Sequence, residues 1–310
     1  MMINRRSFIK SGIGSGILVS LGNFPLNAFV DEPNISKLTI LHTNDVHSRI
    51  EPFPMDGSRN QGLGGVAKRS TLINQIRKES NNVMLLDAGD IFQGTPYFNF
   101  FGGELEIKLM TEMQYDAATI GNHDFDGGMD GLLKQLPHAS FPFINSNYNF
   151  SDTVLDQKTI PYKIFKKDGI KIGVFGLGIE LFGLVPSSLC KGVIYNDPVE
   201  SAEKWGEFLK LEKKCDYIIC LSHLGYKYQE NKISDILLAQ NTSYIDLIIG
   251  GHTHTFMKEP DRYKNKKGMP VLVNQAGWAG IQLGRIDVFF EKNKKGTCVT
   301  CKNLFVGQSQ

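Results

Sequence analysis

Five of the chain's seven histidines fall in short polar motifs, and each motif directly follows an apolar run. His47 ends Thr43-Asn44-Asp45-Val46-His47, His123 lies in Gly121-Asn122-His123-Asp124, His223 in Ser222-His223-Leu224-Gly225, and His252 and His254 in Gly250-Gly251-His252-Thr253-His254. A further motif, Gly89-Asp90 after Val83–Leu86, supplies a carboxylate instead. Asp45, His47, Asp90, Asn122, His223, His252 and His254 together make a set of oxygen and nitrogen donors. That set suits two divalent ions with positions left for water and substrate, drawn from Mn, Zn, Fe or Co, and argues against a soft thiolate site. An aspartate such as Asp90 can bridge two ions, and Asn122 offers a neutral carbonyl oxygen. Asp45 and His47 are two residues apart, so in extended chain both side chains lie on one side and can reach one ion; His252 and His254, also two apart, can point the same way. A lone histidine is more often an ordinary core or surface residue, so the recurrence at the exits of apolar runs carries the argument.

Groups this far apart in sequence converge most readily at strand ends in an open α/β sheet. From Ile35 onward the pattern alternates β and α. Leu38–His42, Val83–Leu86, Ala117–Ile120, Phe141–Asn145, Tyr217–Leu221 and Ile245–Ile249 read as buried strands. Helices are expected over residues 64–79, with Val66, Ala67, Leu72, Ile73 and Ile76 on one face, and over 105–113, 129–136 and 233–239. Lys167-Asp168-Gly169 between Tyr162–Phe165 and Ile170–Leu177 signals a hairpin. Asp197-Pro198 opens a helix to about Lys214, with Asp197 as cap and Pro198 in the first turn. Residues 271–274, 282–290 and 297–305 close the chain as β-structure. The fold class expected is α/β, two packed β-sheets flanked by helices.

Composition narrows the function. With 310 residues, 41% hydrophobic and 21% charged, the chain can bury a full core without disulfides. A net charge of +2 gives no electrostatic footprint for duplex nucleic acid. The five cysteines leave at least one unpaired within the chain. Cys298-Val299-Thr300-Cys301 lies in a late strand with no second CxxC, which leaves a disulfide and an inert pair both open. Residues 1–30 read as a twin-arginine-type export signal: Arg5-Arg6-Ser7-Phe8-Ile9-Lys10, then a mildly apolar Gly/Ser-rich stretch too weak for a membrane span. Periplasmic or exported placement follows, with N-terminal membrane retention left open by the poor cleavage site around Leu26-Asn27-Ala28. Export of an already folded chain suits an enzyme that loads its metal in the cytoplasm.

The motif order Asp45-x-His47, Gly89-Asp90, Gly121-Asn122-His123-Asp124, Ser222-His223 and Gly251-His252-x-His254 resembles the calcineurin-like metallophosphoesterases. Leu41–His47, Gly64-Gly65, Asp87–Asp90, Gly121–Asp126 and Gln275-Ala276-Gly277 resemble, more narrowly, the 5′-nucleotidase and UDP-sugar hydrolase branch. The resemblance covers roughly residues 37–290, and Asp124 stands where glutamate is common. It implies a four-layer α/β/β/α fold. It assigns Asp45, His47, Asp90 and His254 to one metal and Asp90, Asn122, His223 and His252 to the other. His123 would be the catalytic histidine, oriented by Asp126, whose alternative role is to cap the following helix. His42 would support the first ligand loop, and His138 would be a helix-end surface residue. The implied activity is phosphate release from nucleotides, part of nucleotide catabolism, by in-line attack of metal-bound hydroxide. The alternative is a related dimetal hydrolase acting on cyclic nucleotides, UDP-sugars or other phosphate or sulfur-linked esters. A non-enzymatic role would go with a broken ligand set, and no motif position is broken. Family members that hydrolyse nucleotides usually carry a second, C-terminal domain. The expected organisation is therefore an export signal over 1–30 and a dimetal metallophosphatase domain over 35–310. The C-terminal nucleotide-binding domain is expected to be absent; beside its small phosphate-ester substrate, the chain would then either act alone on small or varied esters or work with a separate protein supplying that domain.

Overall fold

The structure, a computed structural model, describes residues 18–19, 35–230, 232–291 and 297–307. Apart from Leu18 and Val19, the expected export signal lies outside the described residues, as does the side chain of Cys298 and with it the CxxC pair. No helix among the described residues is long and apolar enough to cross a membrane.

In chain order the elements are β1 (Leu18–Val19), β2 (Ile35–Thr43), α1 (Val66–Glu79), β3 (Val83–Asp87), α2 (Pro96–Phe101), α3 (Glu104–Glu112), β4 (Ala117–Ala118), α4 (Gly128–Gln135) and β5 (Tyr148–Asn149). The second half runs β6 (Tyr162–Lys167), β7 (Ile170–Leu177), β8 (Ile194–Tyr195), α5 (Pro198–Glu207), β9 (Tyr217–Ser222), α6 (Asp235–Gln240), β10 (Leu247–Gly250), β11 (Asp261–Lys264), β12 (Pro270–Asn274), β13 (Gln282–Glu291), β14 (Thr297–Cys301) and β15 (Leu304–Phe305). One sheet has the order β1-β14-β13-β2-β3-β4, with β15 also on β13; the other has β11-β12-β10-β9-β7-β6.

Alternation along the strands builds the layers. Leu38 and Ile40 of β2, Met84 and Leu86 of β3, Ile172 and Val174 of β7, Ile219 and Leu221 of β9, and Leu247 and Ile249 of β10 form one core between the two sheets. The opposite faces, Leu41 and Leu85, pack with Ile73 and Ile76 of α1 and with Ile107 and Met110 of α3. On the other side Phe175, Ile218, Cys220 and Ile248 meet Ala202 of α5 and Leu238 of α6. Strands covered on both faces carry continuous apolar runs, which is why they were readable. The result is the four-layer α/β/β/α arrangement.

Several bounds moved for local reasons. Helix α1 starts at Val66 because Gly64 and Gly65 hold φ of 75° and 89°, and its buried face takes Arg69 in place of the exposed Ala67. Helix α5 ends at Glu207 and passes into a π-helical turn, Phe208–Glu212, with Asp197 accepting from the Val199 and Glu200 amides as its cap. The expected strand over 141–145 reduces to bridges Ala118–Phe143 and Ile144–Ile160. The hairpin turn is Asp168-Gly169, both at positive φ, with Lys167 opposite Ile170.

Candidate metal centre

Every ligand motif sits just past the carboxyl end of a strand: Asp45 after β2, Asp90 after β3, Asn122 after β4, His223 after β9 and His252 after β10. These strands run parallel within each sheet, so their exits open on one side. The two sets of loops meet closely. A Cβ on Gly251 would stand 2.8 Å from His223 Nδ1 and 2.9 Å from the Ala88 carbonyl, so the His252 loop reaches the centre only with glycine there.

The backbone at Asp45 (φ 50°), His47 (51°), Asp90 (56°), His252 (71°) and His254 (51°) is left-handed. Such residues cost on the order of 1–3 kcal/mol each and persist only where their surroundings fix them. Here the Asp45 amide donates to the Gly89 carbonyl at 2.9 Å, the Asp45 carbonyl accepts from Ala279 at 2.7 Å, and the His47 amide donates to Asp90 at 3.1 Å. The chain here is not extended, yet Asp45 and His47 still meet in one cluster as expected. The left-handed turns send His252 and His254 into different clusters rather than to one ion.

Asp45, His47 and His254 form an outer cluster and Asp90, His223 and His252 an inner one, the ligand atoms of each lying within 4.8 Å of one another. The His254 side chain is 40% exposed and that of His223 0%. Asp90 stands between the clusters, its Oδ2 being 3.1 Å from His223 Nε2 and 3.8 Å from His47 Nε2. Asn122 Oδ1 lies 2.8 Å from His252 Nδ1 and so joins the inner cluster. His47 Nε2 and His254 Nε2 are 3.0 Å apart.

The donor chemistry fits two divalent ions. Asp45 and Asp90 are buried, and among the described residues their ion-pair partners are histidines, not Lys or Arg. His223 Nε2 is buried without an aligned hydrogen-bond partner, although Asp90 is close. Burial disfavours charge on His223, but Asp90 and Asp45 outweigh it and raise its pKa to about 10. A proton thus supplies positive charge where the carboxylates demand a cation. Burial acts to raise Asp90, and His223 and His47 more than reverse it, holding the carboxyl well below its usual range. Burial lowers His47 against the pull of Asp90 and Asp45, and lowers His252 to about 4, so both rings are neutral, as ligation requires.

His123 and Asp126 lie beside this centre. His123 Nδ1 is 2.8 Å from Asp126 Oδ2. The carboxylate accepts, so Nδ1 carries the proton and Nε2 is left for another partner. The His123 amide donates to Asp90 Oδ1 at 2.8 Å, and its ring lies 5.3 Å from that of His47. Burial works against charge on His123, but the Asp126 hydrogen bond and the negative charges of Asp90, Asp126 and Asp124 raise its pKa overall. The capping alternative for Asp126 is not what the structure has: Gly127 is the N-cap of α4, with no side-chain cap bond.

Supporting residues escaped the sequence reading. Asp124 accepts from the amides of Asp90, Ile91, Phe92 and Gly121, clamping the Asp90 turn. Asp235 accepts from Ser222 Oγ at 2.5 Å and Gln275 Nε2 at 3.2 Å, and Gln275 in turn donates to the Gly251 carbonyl at 2.7 Å. Only the 275–277 motif hinted at this bracing. His42 is buried in β2 and accepts from Asn274 Nδ2 at 2.7 Å, joining the sheets. His138 follows α4 and faces Glu104 at 4.0 Å.

Solved structures share this fold. A 5′-nucleotidase precursor from Thermus thermophilus superposes with TM-score 0.78 at 32% identity, covering 87% of this chain and 55% of the other. NAD nucleotidase from Haemophilus influenzae gives 0.77 at 31%, covering 87% and 50%. Residues 38–256 match the Calcineurin-like phosphoesterase family, and the chain belongs to that family of metal-dependent phosphoester hydrolases. Among characterised relatives, the snake venom 5′-nucleotidase of Gloydius brevicauda is 34% identical over 275 residues, 82% of this chain and 45% of the relative. The trifunctional nucleotide phosphoesterase YfkN of Bacillus subtilis is 34% identical over 298 residues, 86% of this chain and 19% of the relative. The chain thus spans about half or less of the length of these relatives.

Proposed function

We propose that the chain hydrolyses phosphate esters of nucleotides in the manner of a 5′-nucleotidase. The observation that carries the proposal is Asp90 standing between the two ligand clusters while also receiving the His123 amide. Asp45, His47, Asp90 and His254 would hold one divalent ion and Asp90, Asn122, His223 and His252 the other. Bound there, such ions neutralise phosphoryl charge and acidify the attacking water. Asp126 orients His123 with the proton on Nδ1 and, with Asp90, favours the protonated ring, which would donate from Nε2 toward a leaving oxygen. The nucleotide preference draws support from relatives named 5′-nucleotidase and nucleotide phosphoesterase. Cyclic nucleotides and UDP-sugars are the competing substrates. Phosphate release from AMP, UDP-glucose, 2′,3′-cyclic AMP and bis-p-nitrophenyl phosphate tests this, with metal content measured on the same sample. AMP turned over at least about tenfold faster than the others supports the reading, and exclusive diester cleavage overturns it.

The proposal extends to substrate-binding surface supplied by sequence outside the matched half of these relatives, in the same polypeptide or a separate protein. A pull-down from periplasmic extract that finds no partner counts against the separate-protein form. It also includes twin-arginine export, which a change of Arg5 and Arg6 to lysine tests by retaining the chain in the cytoplasm.

A further inference from the structure

We propose that Trp278 is a positioning residue that sets the metal affinity of the outer cluster by stacking on His254; the inference rests on the two-ion reading above. Histidine ligands ordinarily have their second ring nitrogen fixed by a hydrogen bond, which orients the ring toward the metal. His223 Nδ1 has the Ala88 carbonyl at 2.7 Å and His47 Nδ1 the Phe92 carbonyl at 3.2 Å. His254 is different. Among the described residues its one hydrogen-bond contact is with His47 Nε2, and its side chain is 40% exposed. What fixes its plane is the Trp278 indole, whose ring centroid lies 5.7 Å away at an interplanar angle of 8°. Offset parallel rings at that separation attract through their quadrupoles.

The indole is itself held. Phe53 meets it edge-on, 5.8 Å away at 74°, and the Arg49 guanidinium covers Phe53 at 4.3 Å. Phe53 and Trp278 pack on a small separate core of Leu63, Ala279 and Ile281. The Ala279 amide, next in sequence, donates to the Asp45 carbonyl at 2.7 Å. One short segment therefore holds both the Asp45 backbone and the His254 imidazole of the outer cluster. Removing the stack leaves His254 free to turn, while the inner cluster keeps all its supports.

The chain has two tryptophans, Trp205 and Trp278, so a Trp205→Phe background makes indole emission report on Trp278 alone. The test strips that protein with chelator and titrates Mn²⁺, following emission and, by equilibrium dialysis, bound metal. Two binding phases are expected, with the emission change confined to one of them. Trp278→Ala should weaken that phase by about tenfold or more and leave the other unchanged, the range found when a ligand loses its outer support. Trp278→Phe should restore affinity to within about threefold, since a smaller ring still stacks. A chain that binds two ions with emission indifferent to both, or whose affinities survive Trp278→Ala, overturns the inference alone. A wild-type chain that binds fewer than two ions overturns the two-ion reading and the inference with it. Emission is read on a chain with native Trp278, so the inference stays falsifiable even where Trp278→Ala fails to fold.

Discussion

The inner and outer clusters draw on the same side-chain types, Asp and His, yet are supported by different physics. The inner one is held mainly by hydrogen bonds: His223 is fully buried and its Nδ1 engages a backbone carbonyl, Asp124 collects four amides around the Asp90 turn, and His252 is only partly buried. The outer one opens to solvent at His254, and its exposed ligand leans on an aromatic stack. Hydrogen-bonded supports in a dry setting resist reorientation strongly, because a turned ring leaves a buried polar group unpaired. A stacked ring loses only contact energy, about 0.5–1.5 kcal/mol for an aromatic pair. The contrast teaches that a two-ion centre need not be supported in the same way in both halves: one leans on hydrogen bonds, the other on a ring stack.

Substituting the shared residue should erase the contrast. Asp90→Asn is expected to lower kcat/KM on the order of a thousandfold or more, since metal charge stabilisation supplies several kcal/mol. It should also lower metal content in both halves, read by elemental analysis alongside steady-state kinetics. Removing the acid should leave the contrast intact: His123→Asn is expected to cut kcat about 10²–10⁴-fold with two ions retained. Asp126→Asn should cost less and move the alkaline limb of the pH–rate profile to lower pH. The sign follows from the raised pKa of His123: without the Asp126 carboxylate the imidazolium loses its proton at lower pH, and the donor is lost sooner. Asp124→Asn should loosen the Asp90 turn and weaken metal binding about tenfold, in both halves because Asp90 is shared, read by the same elemental analysis.

The smallest effect on catalysis is expected at His42, away from both clusters. Burial lowers its pKa to about 3, so between that value and 6.5 the unfolded chain binds a proton that the native chain does not. Stability contributed by neutral His42 is present above pH 6.5 and is lost as pH falls, by at most about 5 kcal/mol. His42→Gln lacks this loss. The stability gap between wild type and variant, from urea melts, should therefore shift in favour of the variant between pH 7 and 4, with metal content unchanged.

The strand exits were legible because strands covered on both faces must be apolar throughout, and the polar residue that ends such a run stands out, as Asp45, Asp90 and His223 do. The division of His252 and His254 between clusters was not legible by spacing, because period-two alternation fails where φ turns positive. Asp235 and Trp278 act through contacts with chain-distant partners and carry no local pattern, and the motif that holds Asp124 does not show its reach to the Asp90 turn. Helix α2, over Pro96–Phe101, also went unread; six residues show no helical period.

The most direct test of the two-ion centre is a joint titration. Mn²⁺ is added to the chelator-stripped chain while bound metal per chain and phosphate release from AMP are followed together. Two unequal affinities, with hydrolysis rising only as the weaker position fills, is the predicted result. Full activity with a single bound ion would contradict it.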